Sequence, residues 1–296
     1  MTSLPPLREA LSAAGILADK SFGQHFLLDL NICRKIARIA EVSDGDEVLE
    51  VGPGPGGLTR ALLEAGARVT AVEKDARFLP LLEELGRAFG ERLTIIHADA
   101  LKFDEVGAMP GGAAVVANLP YNVGSPLLVK WLTGPLRPGS LTLMFQAEVA
   151  RRITAHAGDH DYGRLAVLSQ AIVQASIAMK LPARAFTPPP KVDSAVVRLI
   201  PLAERPPDAL VAALQTVTGA AFGQRRKMLR SSLKALGGAA LCEAVGIDPD
   251  ARAETVPVER FLAMAERVAA DSAQRISPST NALSPGLRAR RRRSAR

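Results

Sequence analysis

Cysteine is nearly missing from this 296-residue sequence: only Cys33 and Cys242 occur, far apart, with no Cys or His at ligand spacing around either. That argues against a disulfide framework and against a zinc site, so no metal is expected and a reducing, cytoplasmic setting is. Long apolar runs are missing too. No stretch approaches the ~18 apolar residues that a membrane span requires, and the first thirty residues lack a basic start followed by an unbroken apolar segment. Neither a membrane span nor a targeting segment is expected. Acidic residues are absent from Arg288 to Arg296, which carry six arginines of a net charge of +7. Without that tail the body is only +1, so the basic balance alone says little about nucleic acid, and an RNA site must show in local patches.

What is present is an alternation. Between residues 46 and 146, short β-rich runs (DEVLEV, RVTAVEK, LTIIHA, AAVVAN, SLTLMFQ) are separated by LTRALLEAG, a leucine-rich segment from Phe78 to Phe89, and SPLLVKWL. Strands separated by helix-length segments imply βαβ units in a parallel sheet, with ligands bound beyond the strands' carboxyl ends. SIAMKLP and SAVVRLI, flanking the loop FTPPPKVD, are expected as an antiparallel addition to the sheet. After Pro207 the pattern is helical only, with Asp208 expected as an N-cap and Leu210, Val211, Leu214 and Val217 at helical spacing. The expected organisation is 1–202 for the sheet domain with its N-terminal covering segment, 203–272 for a helical domain, and 273–296 for a disordered arginine-rich tail.

Gly52, Gly54 and Gly57 satisfy the GxGxxG spacing of dinucleotide-binding loops. Yet Pro53 and Pro55 remove two N–H donors that a pyrophosphate would need, so the loop suits a ligand without a phosphate bridge. S-adenosylmethionine, adenosine joined through a sulfonium to a methionine zwitterion, is such a ligand. Glu50 lies inside the apolar run VLEV and needs partners there, either loop N–H groups or the ligand's ammonium. Glu73 ends the second strand, where an acid commonly receives ribose hydroxyls; Asp99 ends the third, where a carboxylate can accept from the adenine amino group.

The stretch VVANLPYNV ends a buried strand in an unusual way. An exocyclic adenine nitrogen has its lone pair delocalised into the ring, and a general base does not cure that. Two acceptors that bind its two hydrogens do, because they draw the nitrogen towards a tetrahedral shape. Asn118 and the carbonyl of Leu119 supply such a pair, Pro120 stiffens the turn, and Tyr121 offers a face for a flipped-out base.

KSFGQHFLLD, LEVGPGPGGLT, NLPYNV, YGRLAV, AFTPPPKVDSAVVRL and AFGQRRKMLRSSL occur in consistent order between about Leu17 and Met264. Together they resemble the bacterial small-subunit members of the ribosomal RNA adenine dimethylase family. The resemblance implies a class I methyltransferase fold, α/β and Rossmann-like with a seven-stranded, mostly parallel sheet, and a small all-helical C-terminal domain. It implies N6,N6-dimethylation of two adjacent adenosines near the 3′ end of 16S RNA in the small (30S) subunit, by a monomer. It further implies cofactor contacts at His25, Leu27, Gly52, Gly54, Glu73, Asp99 and Asn118, and an aromatic cover for the target base at Phe186. His25 departs from the usual Asn of that motif.

In FGQRRKMLRSSLKALGG, Arg226, Arg230 and Lys234 recur every four residues and are expected on one helix face. With Arg225 and Lys227 they form the expected RNA contact, holding phosphates without reading sequence. Three other readings stand beside this one: a large-subunit adenine methylase of the resistance type, an assembly factor whose binding role outweighs catalysis, and a nicotinamide dehydrogenase.

Overall fold

The computed structural model describes residues 4–18, 23–224 and 226–276, with the side chains of 272–276 left out. Helix α1 (Leu7–Ala13), a two-residue strand β1 (Phe26–Leu27) and α2 (Leu30–Ile39) precede the sheet. The alternating region then gives β2 (Glu47–Val51), α3 (Gly57–Glu64), β3 (Arg68–Glu73), α4 (Leu79–Phe89) and β4 (Leu93–His97). It continues through α5 (Glu105–Ala108), β5 (Ala114–Asn118), α6 (Gly124–Thr133) and β6 (Ser140–Gln146). Helices α7 (Ala147–Thr154) and α8 (Arg164–Gln170) lead into β7 (Val173–Leu181), β8 (Phe186–Thr187) and β9 (Ser194–Pro201). Everything described beyond is helical: α9 (Asp208–Phe222), α10 (Leu229–Ser232), α11 (Ala239–Ala244) and α12 (Val258–Ile276), with short 3-10 turns between.

The seven-stranded sheet has the order β4-β3-β2-β5-β6-β9-β7, parallel through β6 and antiparallel at β9 and β7. Its central parallel strands β2 and β5 are covered on both faces, which is why VLEV and AVVA read as nearly unbroken apolar runs. From β2 the chain first builds outward through β3 and β4, then returns to add β5 on β2's other side. That reversal opens a crevice at the carboxyl ends of β2 and β5, where such sheets bind ligands. The glycine loop follows β2 and Asn118 ends β5, so both fall at the crevice. Leu141, Leu143 and Val197 of the sheet share one buried cluster with Leu214, Val217 and Phe261 of the helices, and no helix among the described residues is long and apolar enough to cross a membrane.

Three expectations need correction. Asp208 is the first residue of α9 rather than its cap, and its carboxylate takes two hydrogen bonds from Arg137, at 2.7 and 2.8 Å. Arg226, Arg230 and Lys234 do not share one helix. Met228 is extended, α10 holds only four residues, and a 3-10 turn follows over Lys234–Leu236. The amides of Leu229 and Arg230 donate to Ala251 and Pro249, so contacts to a distant loop replace the bonds a continuous helix would make. Phe186, expected against a target base, is only 3% exposed and packs among core residues including Leu27 and Val196.

Candidate active site

Gly52 and Gly54 adopt φ of +68° and +53°, a region that side chains rarely enter, and a Cβ on Gly52 would also press on Pro120 at 3.4 Å. The glycines thereby bring the loop against the Asn118–Tyr121 turn. Of residues 52–56, the two prolines have no N–H, and the three glycines already use theirs. Gly52 donates to the carbonyl of Val72, Gly54 to Glu73 Oε2 at 3.0 Å, and Gly56 to the carbonyl of Pro53. Residues 52–56 therefore leave no donor for a pyrophosphate, and the Glu73 carboxylate occupies the Gly54 amide. A loop so short of donors disfavours a nicotinamide dinucleotide. It suits a ligand with a positive centre and no phosphate.

The acids around the loop differ in state. Glu50 is 1% exposed and its Oε2 has no hydrogen-bond partner among the described residues. Burial pushes its carboxyl up to about 8, and the neighbouring Glu73 adds to this, while the Thr59 hydroxyl pulls the other way. Glu73 Oε1 accepts from the Asp75 amide at 2.8 Å; burial raises this carboxyl too, opposed by the Asp75 and Gly54 N–H groups. Asp99 accepts from Lys74 Nζ at 2.9 Å and from the Leu101 amide at 3.0 Å, and the Lys74 hydrogen bond holds it below the usual carboxylate range. Asp75 is pulled down to about 2, chiefly by Arg77, and also accepts from Gln24 Nε2 at 2.8 Å, which ties the N-terminal segment to the end of β3.

One cavity unites these groups. His25, Leu27, Glu50, Gly52, Gly54, Glu73, Asp99, Asn118, Leu119, Pro120 and Tyr121 all line it. Phe186 does not, Arg225 lies outside the described residues, and Arg226, Lys227, Arg230 and Lys234 stand exposed on the helical region. Arg230 is paired with Asp250 at 3.0 Å.

At the end of β5, Asn118 Nδ2 donates to the main-chain carbonyl of His25 at 3.4 Å, which leaves Oδ1 as the end of the amide free to accept. Neither Oδ1 nor the carbonyl of Leu119 accepts a hydrogen bond from a described residue. Two adjacent residues with unengaged acceptors therefore line the cavity together with Tyr121. The ring of His25 lies 5.3 Å from that of Tyr121, and its Nδ1 donates to the carbonyl of Pro188 at 2.8 Å. Pairing of β1 with β8, Phe26 opposite Thr187 and Leu27 opposite Phe186, binds the same two segments together.

Sequence reasoning missed the support beneath the site. Lys130 Nζ on α6 donates to the carbonyls of Ala100 and Phe103 and to Glu105 Oε1, at 2.7–2.8 Å, and so grips the loop that carries Asp99. Trp131 Nε1 donates to the same Glu105 oxygen at 3.0 Å. An isolated Lys in SPLLVKWL looks like a solvated charge, and only the fold shows its three acceptors.

Comparison with known proteins identifies the family. The family model for ribosomal RNA adenine dimethylase matches residues 16–270. Ribosomal RNA small subunit methyltransferase A of Phenylobacterium zucineum is 65% identical over 95% of this chain and 98% of its own length. Its counterpart in Caulobacter vibrioides is 64% identical over 84% and 96%. Among solved structures, a dimethyladenosine transferase from Plasmodium falciparum superposes with a TM-score of 0.68 at 26% identity, covering 81% of this chain and 96% of that one. The 23S rRNA methyltransferase ErmE gives 0.64 at 30% identity, over 82% and 99%. With a matching model over residues 16–270 and a relative 65% identical over 95% of its length, the chain belongs to the ribosomal RNA adenine dimethylase family.

Proposed function

We propose that this chain transfers methyl groups from S-adenosylmethionine to N6 of two adjacent adenosines near the 3′ end of 16S ribosomal RNA, in the small ribosomal subunit. The carrying observation is the pair of unengaged acceptors, Asn118 Oδ1 and the Leu119 carbonyl, side by side at the cavity. When bound, the cofactor supplies an electrophilic methyl. Glu50, whose Oε2 has no hydrogen-bond partner among the described residues, is the counterion for its ammonium, Glu73 accepts from the ribose, and Asp99 from the adenine amino group. Asn118 and Leu119 take the two N6 hydrogens and turn the nitrogen's lone pair towards the methyl, while Tyr121 stacks on the base. The amine proton is lost after transfer, so the residues need to orient the nitrogen rather than deprotonate it beforehand.

Exposed Arg226, Lys227, Arg230 and Lys234, together with Arg225, then contact phosphates from the helical region 203–272, with the chain acting as a monomer in the cytoplasm. Higher identity to small-subunit than to 23S enzymes supports the choice of RNA. Unmethylated small subunits incubated with the protein and labelled cofactor should yield N6,N6-dimethyladenosine at two adjacent positions. Folded protein that leaves the RNA unlabelled, or label that maps to large-subunit RNA, refutes the proposal.

A further inference from the structure

Ser194 opens β9, a strand held on both sides: Ser194 lies opposite Gln146 of β6 and Leu181 of β7. It is fully buried, and Ala195, Val196 and Val197 after it are almost wholly buried and apolar. A hydroxyl in such a place needs a partner, and its only side-chain partner among the described residues is Tyr121, whose own hydroxyl lies 2.6 Å away. The ring of Tyr121 is thus tethered at its far end to a buried strand paired on both sides. His25 flanks the ring on another side and is itself fixed by the Pro188 carbonyl, six residues before Ser194.

We propose that Ser194 is a positioning residue for the base clamp, its hydroxyl setting the Tyr121 ring at the angle at which it stacks on the target adenine. This rests on the reading of Tyr121 as the stacking face. It also gives the segment from Phe186 to Ser194 a different task from the one expected of Phe186. That segment frames the clamp from outside the cavity instead of covering the base. A tyrosine without the tether keeps its hydrophobic face but samples other ring orientations, so fewer encounters present N6 in line with the methyl.

The test compares Ser194→Ala, Tyr121→Phe and the double variant with wild type. A single neutral hydrogen bond corresponds to about three- to ten-fold in rate. Each single variant should lose about that much in kcat on unmethylated small subunits, and the double variant no more than either one, because both changes remove the same bond. Affinity for S-adenosylhomocysteine should stay within about two-fold by calorimetry. With 2-aminopurine at the target position, quenching by the clamp should be weakened in every variant. Unchanged kcat and quenching in Ser194→Ala, multiplicative losses in the double variant, or loss of cofactor affinity in step with kcat would each overturn the proposal. If Ser194→Ala does not fold, Tyr121→Phe with intact kcat and quenching overturns it alone. Wild-type protein that binds no S-adenosylhomocysteine, or labels no RNA, counts instead against the proposed function.

Discussion

Replacing Glu50 with Gln should stabilise the free protein and weaken its hold on the cofactor, two effects of opposite sign from one atom. The carboxyl is lifted from an ordinary 4.5 to about 8, and at ~1.36 kcal/mol per pH unit that corresponds to about 5 kcal/mol. Between those two values the folded chain keeps a proton that the unfolded chain has released. Wild-type stability therefore falls as pH climbs through the window: the cost is absent well below 4.5 and complete above 8. Gln carries no such cost. Urea unfolding at pH 5, 7 and 9 should show the variant ahead by under about 1 kcal/mol at pH 5, and by several at pH 9. Calorimetric titration with S-adenosylhomocysteine at pH 8 should show the variant binding more weakly, since the ligand's ammonium has lost its counterion. A stability difference that stays flat from pH 5 to 9 refutes the assignment of a buried, protonated Glu50.

Two other substitutions separate chemistry from binding. Asn118→Ala should lower methyl transfer by about 10²-fold or more, the scale seen when one preorganised polar contact to a reacting centre is lost, while S-adenosylhomocysteine affinity changes only a few-fold. Rapid-quench measurement of label transfer, alongside calorimetry, reads both. Lys130→Met strands Glu105, 5% exposed, without its cation and frees two carbonyls of the Asp99 loop. It should destabilise the fold by about 3–5 kcal/mol in denaturant and raise the cofactor Kd, with kcat at saturation little changed.

The parallel sheet, its antiparallel addition and the position of the glycine loop were legible because each rests on local signals: period, run length and proline placement. The cavity residues were legible for the same reason, since strand ends in such a sheet converge on one crevice. Pairing of β1 with β8 was not, because two-residue strands separated by about 160 residues leave no local trace. The basic segment failed for a related reason. Its four-residue spacing is real, but Leu229 and Leu233 are fully buried and the neighbouring amides bond across to Pro249 and Ala251, so tertiary contacts overrode the pattern. Phe186 carried a motif position that says nothing of which way the ring faces. Ser194 and Lys130 are ordinary residues whose importance comes from partners 73 and about 25–30 positions away.

The glycine loop has one more consequence, for a cell crowded with nucleotides. ATP, GTP and the nicotinamide cofactors share the adenosine or ribose groups of the proposed methyl donor. A loop whose amides at residues 52–56 are already engaged or missing, with the Glu73 carboxyl standing at its rim, meets their phosphates with acceptor oxygens and no compensating donors. The same two prolines that disqualify the common competitors keep the door open for a cation, so selectivity is built in by what the backbone withholds.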